Sequence, residues 1–383
     1  MTFLKDIKFN FLNADEQERY QKHLTLEEIG NAGQLKLKNS SVLCLGAGGL
    51  GSSVLIYLAA AGIGKIGIVD NDHVEKSNLQ RQIVHETNAI GNLKIDSAKK
   101  RIIGLNPNIE VITFNTRITT ENVLEIIQEF DVICDCSDNF GTRYLINDAC
   151  LIINKPLVFG SVQGFEGQVS VFNLNKKSPN LRDLLPESPS KNDIPSCAEY
   201  GVVGVATGLI GILQVNEIIK IILKKGEILD GKILIFDLLN MNMKKLHLKS
   251  DEINKRIKNL SQFMDFYNEN ECSEKNNKIK RINANDFNSI YKAKPNKILL
   301  IDVRENEEFS TSAIEGSVSI PLSQLNQASD LEFIQKESLI KEIFTICKSG
   351  KRSDKASIIL SKFKIQSRSI TGGIEKLKHI LLN

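Results

Sequence analysis

A chain of 383 residues with 42% apolar side chains has room for about two to three domains, each with a packed core. Its 49 basic and 46 acidic residues are interspersed and leave a net charge of +3, which excludes the one-signed field of a nucleic-acid or anionic-membrane binder. The opening residues mix charge throughout, unlike a signal peptide, and the longest apolar run, 201–213, is 13 residues, short of a bilayer span. A cytoplasmic protein is therefore expected, and the seven scattered cysteines read as thiols rather than a disulfide framework.

Taken in chain order, residues 1–250 alternate short β-branched runs ("SVLCLG", "KIGIVD", "IEVITFN", "FDVICDCS", "KPLVFGSV", "QVSVFNL", "KILIFDLL") with longer helical patterns. That alternation predicts an α/β fold, a Rossmann-like nucleotide-binding domain with a mainly parallel sheet. Residues 251–283, dense in Lys, Asn and Glu, read as a mobile linker carrying one short helix. A second, small α/β domain starts afresh at 284 with "KILLIDVRENEEF" following and "TGGIEKLKHILLN" closing the chain at 383.

The first motif is Gly46-Ala47-Gly48-Gly49-Leu50-Gly51, between a strand and the helix "SSVLIYLAAAGI". Glycines let the backbone turn sharply and approach phosphate, and the helix start offers unpaired N–H groups to an anion. Asp70, ending the next strand, is placed to grip ribose hydroxyls; the alternative is a tight structural turn. Asp72, Asn78, Arg81 and Gln82 follow, then Lys94. Two separate cations beside a glycine turn suit a triphosphate better than a nicotinamide cofactor, because charge builds on phosphate oxygens during displacement.

"FDVICDCSDNFGTRYLIND" is expected to end a strand at Asp138-Asn139 and begin a helix. A carboxylate at that edge is a natural Mg²⁺ ligand, and a helix N-cap reading stands beside it. Cys44, Cys134, Cys136 and Cys150 read as small buried core residues.

"RYQKHL" (19–24), "GAGGLGSS" (46–53), "VDNDHVEKSNLQRQ" (69–82), "DCSDNFGTRYLIND" (135–148), "FEGQVSVFN" (165–173) and "SCAEYGVVG" (196–204) together resemble the MoeB/ThiF family. These are ubiquitin-activating-like enzymes that adenylate sulfur-carrier proteins ending in Gly-Gly. The resemblance implies ATP and Mg²⁺. It places Gly46, Gly48, Gly49, Gly51 and Asp70 on the nucleotide, and Ser77, Asn78, Arg81 and Lys94 on the phosphates. Asp72, Leu79 and Gln80 lie beside them, and Asp138 with Asn139 would hold magnesium and nucleotide. It also implies that Arg19 reaches the phosphates of a partner subunit, hence a homodimer. Cys197 matches the family's crossover-loop cysteine, which receives the carrier or resolves its disulfide; by pattern alone it reads as a structural cysteine. Many relatives carry two CxxC pairs for zinc. This chain has no CxxC, with Asn180 and Asp183 where the first pair would fall, so zinc is not expected and packing is expected to hold that lobe.

"ILLIDVRENEEFSTSAIEGSVSIPLSQL" (298–325), "TICKSGKRSDKA" (345–356) and "TGGIEKLK" (371–378) resemble a rhodanese domain. Cys347 would sit at a strand end, ringed by N–H groups from Lys348 to Arg352, with a helix from Ser353 aimed at the sulfur and Lys348, Lys351 and Arg352 adding charge. Cysteine-dependent phosphatases use a wider loop, with their arginine one position later than Arg352. Asp302 and Arg304 read as domain-stabilising. The joint expectation is adenylation of a carrier's terminal glycine, then sulfur transfer from a Cys347 persulfide charged by a cysteine desulfurase or other persulfide donor, giving a thiocarboxylate. A nicotinamide-dependent oxidoreductase would instead show a cofactor-linked absorbance change, and a non-catalytic scaffold would release no pyrophosphate. Molybdopterin, thiamine, tRNA thiolation and cysteine synthesis all remain open as the pathway served.

Overall fold

A computed structural model of the chain describes residues 9–186, 201–263, 267, 280–325, 328–363 and 365–381. The chain divides into two units, Met1–Glu269 and Asn270–Asn383.

In the first unit, α1 (Ala14–Arg19), α2 (Gln21–Leu24) and α3 (Gly30–Lys38) precede β1 (Ser41–Leu45). There follow α4 (Gly49–Ala61), β2 (Lys65–Val69), α5 (Lys94–Leu105), β3 (Glu110–Phe114), α6 (Val123–Gln128), β4 (Val132–Asp135) and α7 (Phe140–Ile153). The unit continues through β5 (Leu157–Gln163), β6 (Glu166–Phe172), α8 (Leu181–Leu184), α9 (Gly204–Leu223), β7 (Lys232–Asp237) and β8 (Asn242–His247). The sheet order is β3-β2-β1-β4-β5-β6-β7-β8; β3 to β5 are parallel and β5 to β8 antiparallel. Val42, Leu43, Cys44 and Leu45 of β1 are all buried, as a strand covered by helices on both faces requires. The strand order reverses between the parallel neighbours β1 and β4, so their carboxyl ends flank the crevice where such sheets bind ligands.

The apolar run at 201–213 belongs to a longer element. α9 has 20 residues and, by length and composition alone, could cross a bilayer. Here it is a core helix on α4, β5 and β6. Gln214 and Glu217 do not end it because they are buried and bonded: Gln214 Nε2 donates to the Asp135 carbonyl at 2.8 Å and Glu217 Oε2 accepts from Leu229 N at 2.9 Å.

The described residues 251–263 and Tyr267 belong to the first unit. Ile257, Leu260 and Tyr267 are buried, the latter two in the first unit's core. Asn180 and Asp183, which stand where a zinc pair was considered, form a capping box on α8. Asp183 Oδ1 also accepts from Asp251 N at 2.8 Å and from Asn254 Nδ2 at 2.9 Å. Beneath them Arg182 makes a buried two-bond pair with Asp148 (3.0 and 2.6 Å), and the Tyr267 hydroxyl donates to Asp148 Oδ2. The lobe is thus held by packing, as expected, with Leu181, Leu260 and Tyr267 in the core, and by this polar network besides. Removing one partner of a buried pair strands the other's charge at about 3–5 kcal/mol. Arg182→Ala is expected to lower the first unit's unfolding free energy by about that amount in a denaturant melt, whereas a metal chelator leaves the midpoint unchanged.

The second unit contains β9 (Lys280–Asn283), α10 (Ala284–Ala293), β10 (Ile298–Asp302), α11 (Asn306–Ser312), β11 (Ser317–Ser319) and α12 (Ala328–Glu337). It closes with β12 (Glu342–Ile346), α13 (Lys351–Lys362), β13 (Ser367–Thr371) and α14 (Gly373–Leu381). Its sheet, β11-β10-β12-β13-β9, is parallel throughout. β9 takes the end of the expected linker into this sheet, where Ile282 joins the core. Arg304 and Asp302 form a buried ion pair, and the guanidinium also donates to Ser312 Oγ at 2.9 Å, tying the end of β10 to the last turn of α11.

Candidate active sites

The glycine turn leaves β1 at Gly46, whose φ of +108° suits only glycine. A Cβ on Gly51 would overlap the Gly46 carbonyl oxygen, so the turn and the first turn of α4 close on each other through missing side chains. Asp70, just beyond β2, accepts from Ala47 N and Asp72 N, both at 2.8 Å, pinning the turn to the end of β2. Lys94 opens α5, is 7% exposed, and reaches Asp72 Oδ2 at 2.9 Å. Asp72 therefore holds a buried ammonium beside the turn.

Ser77 and Asn78 lie in a single helical turn whose Asn78 side chain accepts from Glu75 N at 3.2 Å. Leu79 is half-buried and Gln80 exposed, and the half-buried Arg81 donates to the Ser77 carbonyl at 3.3 Å. The start of α9 packs so closely here that a Cβ on Gly204 would clash with the Gln80 carbonyl.

The structure moves the strand end. β4 stops at Asp135, not at Asp138-Asn139, because Ser137 N and Oγ both donate to Asp135 Oδ1 (2.9 and 2.6 Å) and turn the chain. Asp138 follows as an exposed carboxylate, and Asn139 is the N-cap of α7, accepting from Thr142 N at 2.9 Å. Burial pushes the Asp135 carboxyl up, with Arg143 opposing it, and Asp135 Oδ2 has no hydrogen-bond partner among the described residues. Asp135 was passed over in the sequence because nothing in the strand's pattern distinguishes it from a core position.

Two further residues shape the turn. His85 sets one ring nitrogen 3.0 Å from the Ala47 carbonyl, to which it donates, and the other 3.0 Å from Ser97 Oγ. Burial lowers its pKa, so the neutral ring is the one that makes this pair of bonds. Gln82 is 4% exposed, its amide faces Gly48, and its Oε1 has no partner among the described residues. An unsatisfied buried acceptor beside a glycine turn fits a nucleotide that brings its own donors.

Cys44, Cys134 and Cys136 cluster under the turn with Sγ separations of 3.5 and 3.8 Å. Burial raises the thiols of Cys134, Cys136 and Cys150; for Cys44 the bond to Cys136 contributes first and burial adds to it. They stay protonated and are core residues, not nucleophiles. Cys197 lies outside the described residues. Arg19 Nη1 donates to the Leu105 carbonyl at 3.0 Å, at the opposite end of α5 from Lys94, about 16 Å away by helix rise. It does not join its own chain's turn.

In the second unit, Cys347 follows β12 and is 1% exposed. Its Sγ accepts from Gly350 N at 3.2 Å and Ser353 N at 3.3 Å. α13 starts at Lys351 with Gly350 (φ +105°) as its cap, two residues earlier than the sequence suggested, so its first-turn N–H groups face the sulfur. Arg352 does not add free charge, being doubly bonded to Glu308, whereas Lys348 is exposed with its Nζ 3.9 Å from Glu375. The Lys351 side chain lies outside the described residues.

Residues 20–256 match the ThiF family and residues 284–379 the rhodanese-like domain. The chain belongs to the ThiF family. It is 40% identical over 381 residues to the "Probable molybdopterin-synthase adenylyltransferase" of Porphyra purpurea, covering 97% of this chain and 95% of that one. It is 36% identical over 390 residues to the adenylyltransferase and sulfurtransferase MOCS3 of Aedes aegypti, covering 97% and 88%. Among solved structures, PaaA (22% identity, TM-score 0.55, covering 65% of this chain and 79% of that one) shares the fold. So does E. coli MccB with MccA-N7isoASN (22% identity, TM-score 0.55, covering 63% and 74%). This ThiF-family chain is an enzyme, an adenylyltransferase and sulfurtransferase, and its first unit uses ATP.

Proposed function

We propose that the first unit adenylates the C-terminal glycine of a ubiquitin-like sulfur carrier ending in Gly-Gly, and that Cys347 then supplies the sulfur of a thiocarboxylate. One observation carries this reading. The described part of the nucleotide crevice offers glycine amides, Arg81, Lys94 and carboxylates but only buried, protonated thiols, while a sulfur that accepts from two backbone N–H groups, Cys347, is built into a separate unit of the same chain. Such a crevice activates an acyl group and leaves the next nucleophile to come from elsewhere.

The carrier's carboxylate oxygen attacks the α-phosphorus of ATP and the bond to pyrophosphate breaks. Arg81 and Lys94 face the charge that develops. Mg²⁺ would be held by Asp138, with phosphate oxygens and waters completing its shell, since the described residues assemble no cluster of three ligating side chains. It would neutralise charge on the departing pyrophosphate. The terminal sulfur of a Cys347 persulfide then attacks the acyl carbon and AMP leaves, giving an acyl disulfide. A second thiol, for which Cys197 is the candidate, attacks Cys347 Sγ; the S–S bond to the acyl sulfur breaks, the thiocarboxylate leaves, and the Cys197–Cys347 disulfide that forms is returned to thiols by a dithiol reductant of the cytosol. The linkage of the two units in one chain raises the donor's local concentration to about the millimolar range when the connection spans both sites.

The position of Arg19 supports a homodimer in which it serves the other copy's crevice. A cysteine desulfurase is the proposed persulfide source and the reducing cytosol the proposed setting, in line with the free thiols at all five described cysteines. The name of the Porphyra purpurea relative makes the molybdopterin-synthase carrier the first candidate. Incubating the full chain with that carrier, ATP, magnesium and a persulfide donor is expected to shift the carrier's C-terminal peptide by the mass of sulfur replacing oxygen. An unshifted peptide with every Gly-Gly-ended carrier overturns the proposal.

A further inference from the structure

The sulfur-binding loop is electrostatically closed on its side-chain flank. Arg352, in the first turn of α13, meets Glu308, in the first turn of α11, through Nη1–Oε2 at 2.6 Å and Nη2–Oε1 at 2.8 Å. The two side chains are 33% and 35% exposed, at the surface but locked. Glu308 is itself anchored, its Oε2 accepting from Glu305 N at 3.3 Å in a capping box. Two neighbouring cations are paired as well, Arg304 with Asp302 and Arg281 with Asp354, while the exposed Lys348 lies 3.9 Å from Glu375. Among the described residues, what is directed at Cys347 Sγ is the pair of backbone N–H bonds from Gly350 and Ser353.

Two kinds of donor can load such a sulfur, and they ask different things of the loop. Thiosulfate arrives as a dianion. The Cys347 thiolate attacks its sulfane sulfur, the S–S bond breaks onto the departing group, and sulfite leaves as a dianion while Cys347 keeps a persulfide. A protein persulfide brings one negative charge and its own docking surface; the same attack on its outer sulfur releases a thiolate. The first donor needs a free cation at the mouth, and the second does not.

We propose that Glu308 is a specificity-determining residue of the sulfur-transfer site: by holding the Arg352 guanidinium in a two-bond ion pair, it withholds the cation an anionic small-molecule donor needs and leaves the loop to protein-borne persulfides. Because Arg352 holds the Glu308 carboxyl down at about 2, the lock is present above the ordinary carboxylate range and is lost only as pH falls towards 2. It is a fixed filter, not a pH gate. The inference rests on Cys347 being the sulfur carrier.

The test measures kcat/KM of the full-length chain for thiosulfate and for a persulfide-loaded cysteine desulfurase, with cyanide as the common acceptor. Glu308→Gln keeps the capping box and releases Arg352. It is expected to raise the thiosulfate-to-persulfide ratio about ten-fold, through KM for thiosulfate, and the gain is expected to shrink as ionic strength rises. Glu308→Gln with Arg352→Ala is expected to return the ratio to that of the parent. A ratio within about two-fold of the parent in Glu308→Gln, with the second unit's melting transition unchanged, overturns the proposal; so does a gain that persists in the double variant. A parent chain inactive with both donors overturns the reading of Cys347 itself and this inference with it.

Discussion

Cys347→Ala is expected to abolish sulfur transfer while carrier-dependent exchange of pyrophosphate into ATP continues at the parent rate. The fall is on the order of 10⁴-fold or more, because the substitution removes the atom that carries the sulfur and no other described thiol is placed to replace it. The residue sits where β12 ends, with Gly350 N and Ser353 N both directed at Sγ. Alanine leaves those two donors without an acceptor, a cost of about 1–3 kcal/mol that a melt of the second unit reports separately from the loss of chemistry. The first unit has its own sheet and core, so the exchange half-reaction needs nothing from Cys347. Loss of both activities in a folded variant would break this division of labour.

Arg81→Ala and Asp138→Ala are each expected to lower kcat/KM for that exchange by about 10²–10³-fold, the range for removing one preorganised electrostatic contact to a transition state. Sulfur loading of Cys347 is expected to continue in both, measured as persulfide formed from a labelled donor. Neither substitution opens the core: Arg81 is half-buried with one bond to the Ser77 carbonyl, and Asp138 is exposed. A folded variant with full exchange activity would remove that residue from the proposed phosphate and metal site. Arg182→Ala provides the contrast, since it acts on stability through its buried pair with Asp148.

Much of the site was legible because it is local. Gly46 to Gly51, Asp70 and Arg81 form a sequence-adjacent grammar in which one turn, one strand end and one helix start must follow each other, and the structure joins Ala47, Asp70, Asp72 and Lys94 by bonds of 2.8 to 2.9 Å. The places where the sequence misled are those where a distant partner intervened. Gln214 and Glu217 looked like the end of an apolar run, yet carbonyl and amide partners from other elements let them continue α9 through the core. Asp251, Asn254, Leu260 and Tyr267 look like solvated chain in the sequence, yet Asp183, Asp148 and the apolar core of the first unit give them partners.

The sequence by itself determined the two-part architecture, the glycine turn with its cations, and the cysteine loop, because each rests on backbone rules that operate over a few residues. The tertiary structure alone decided which charges are free. Arg352 reads as part of a cationic rim, but Glu308, from an element remote in sequence, matches it. Arg19, close in sequence to the glycine turn, is carried to the far end of α5. The physical reason is that charge compensation acts between side chains brought together across elements, over a few ångströms, and sequence distance does not encode it.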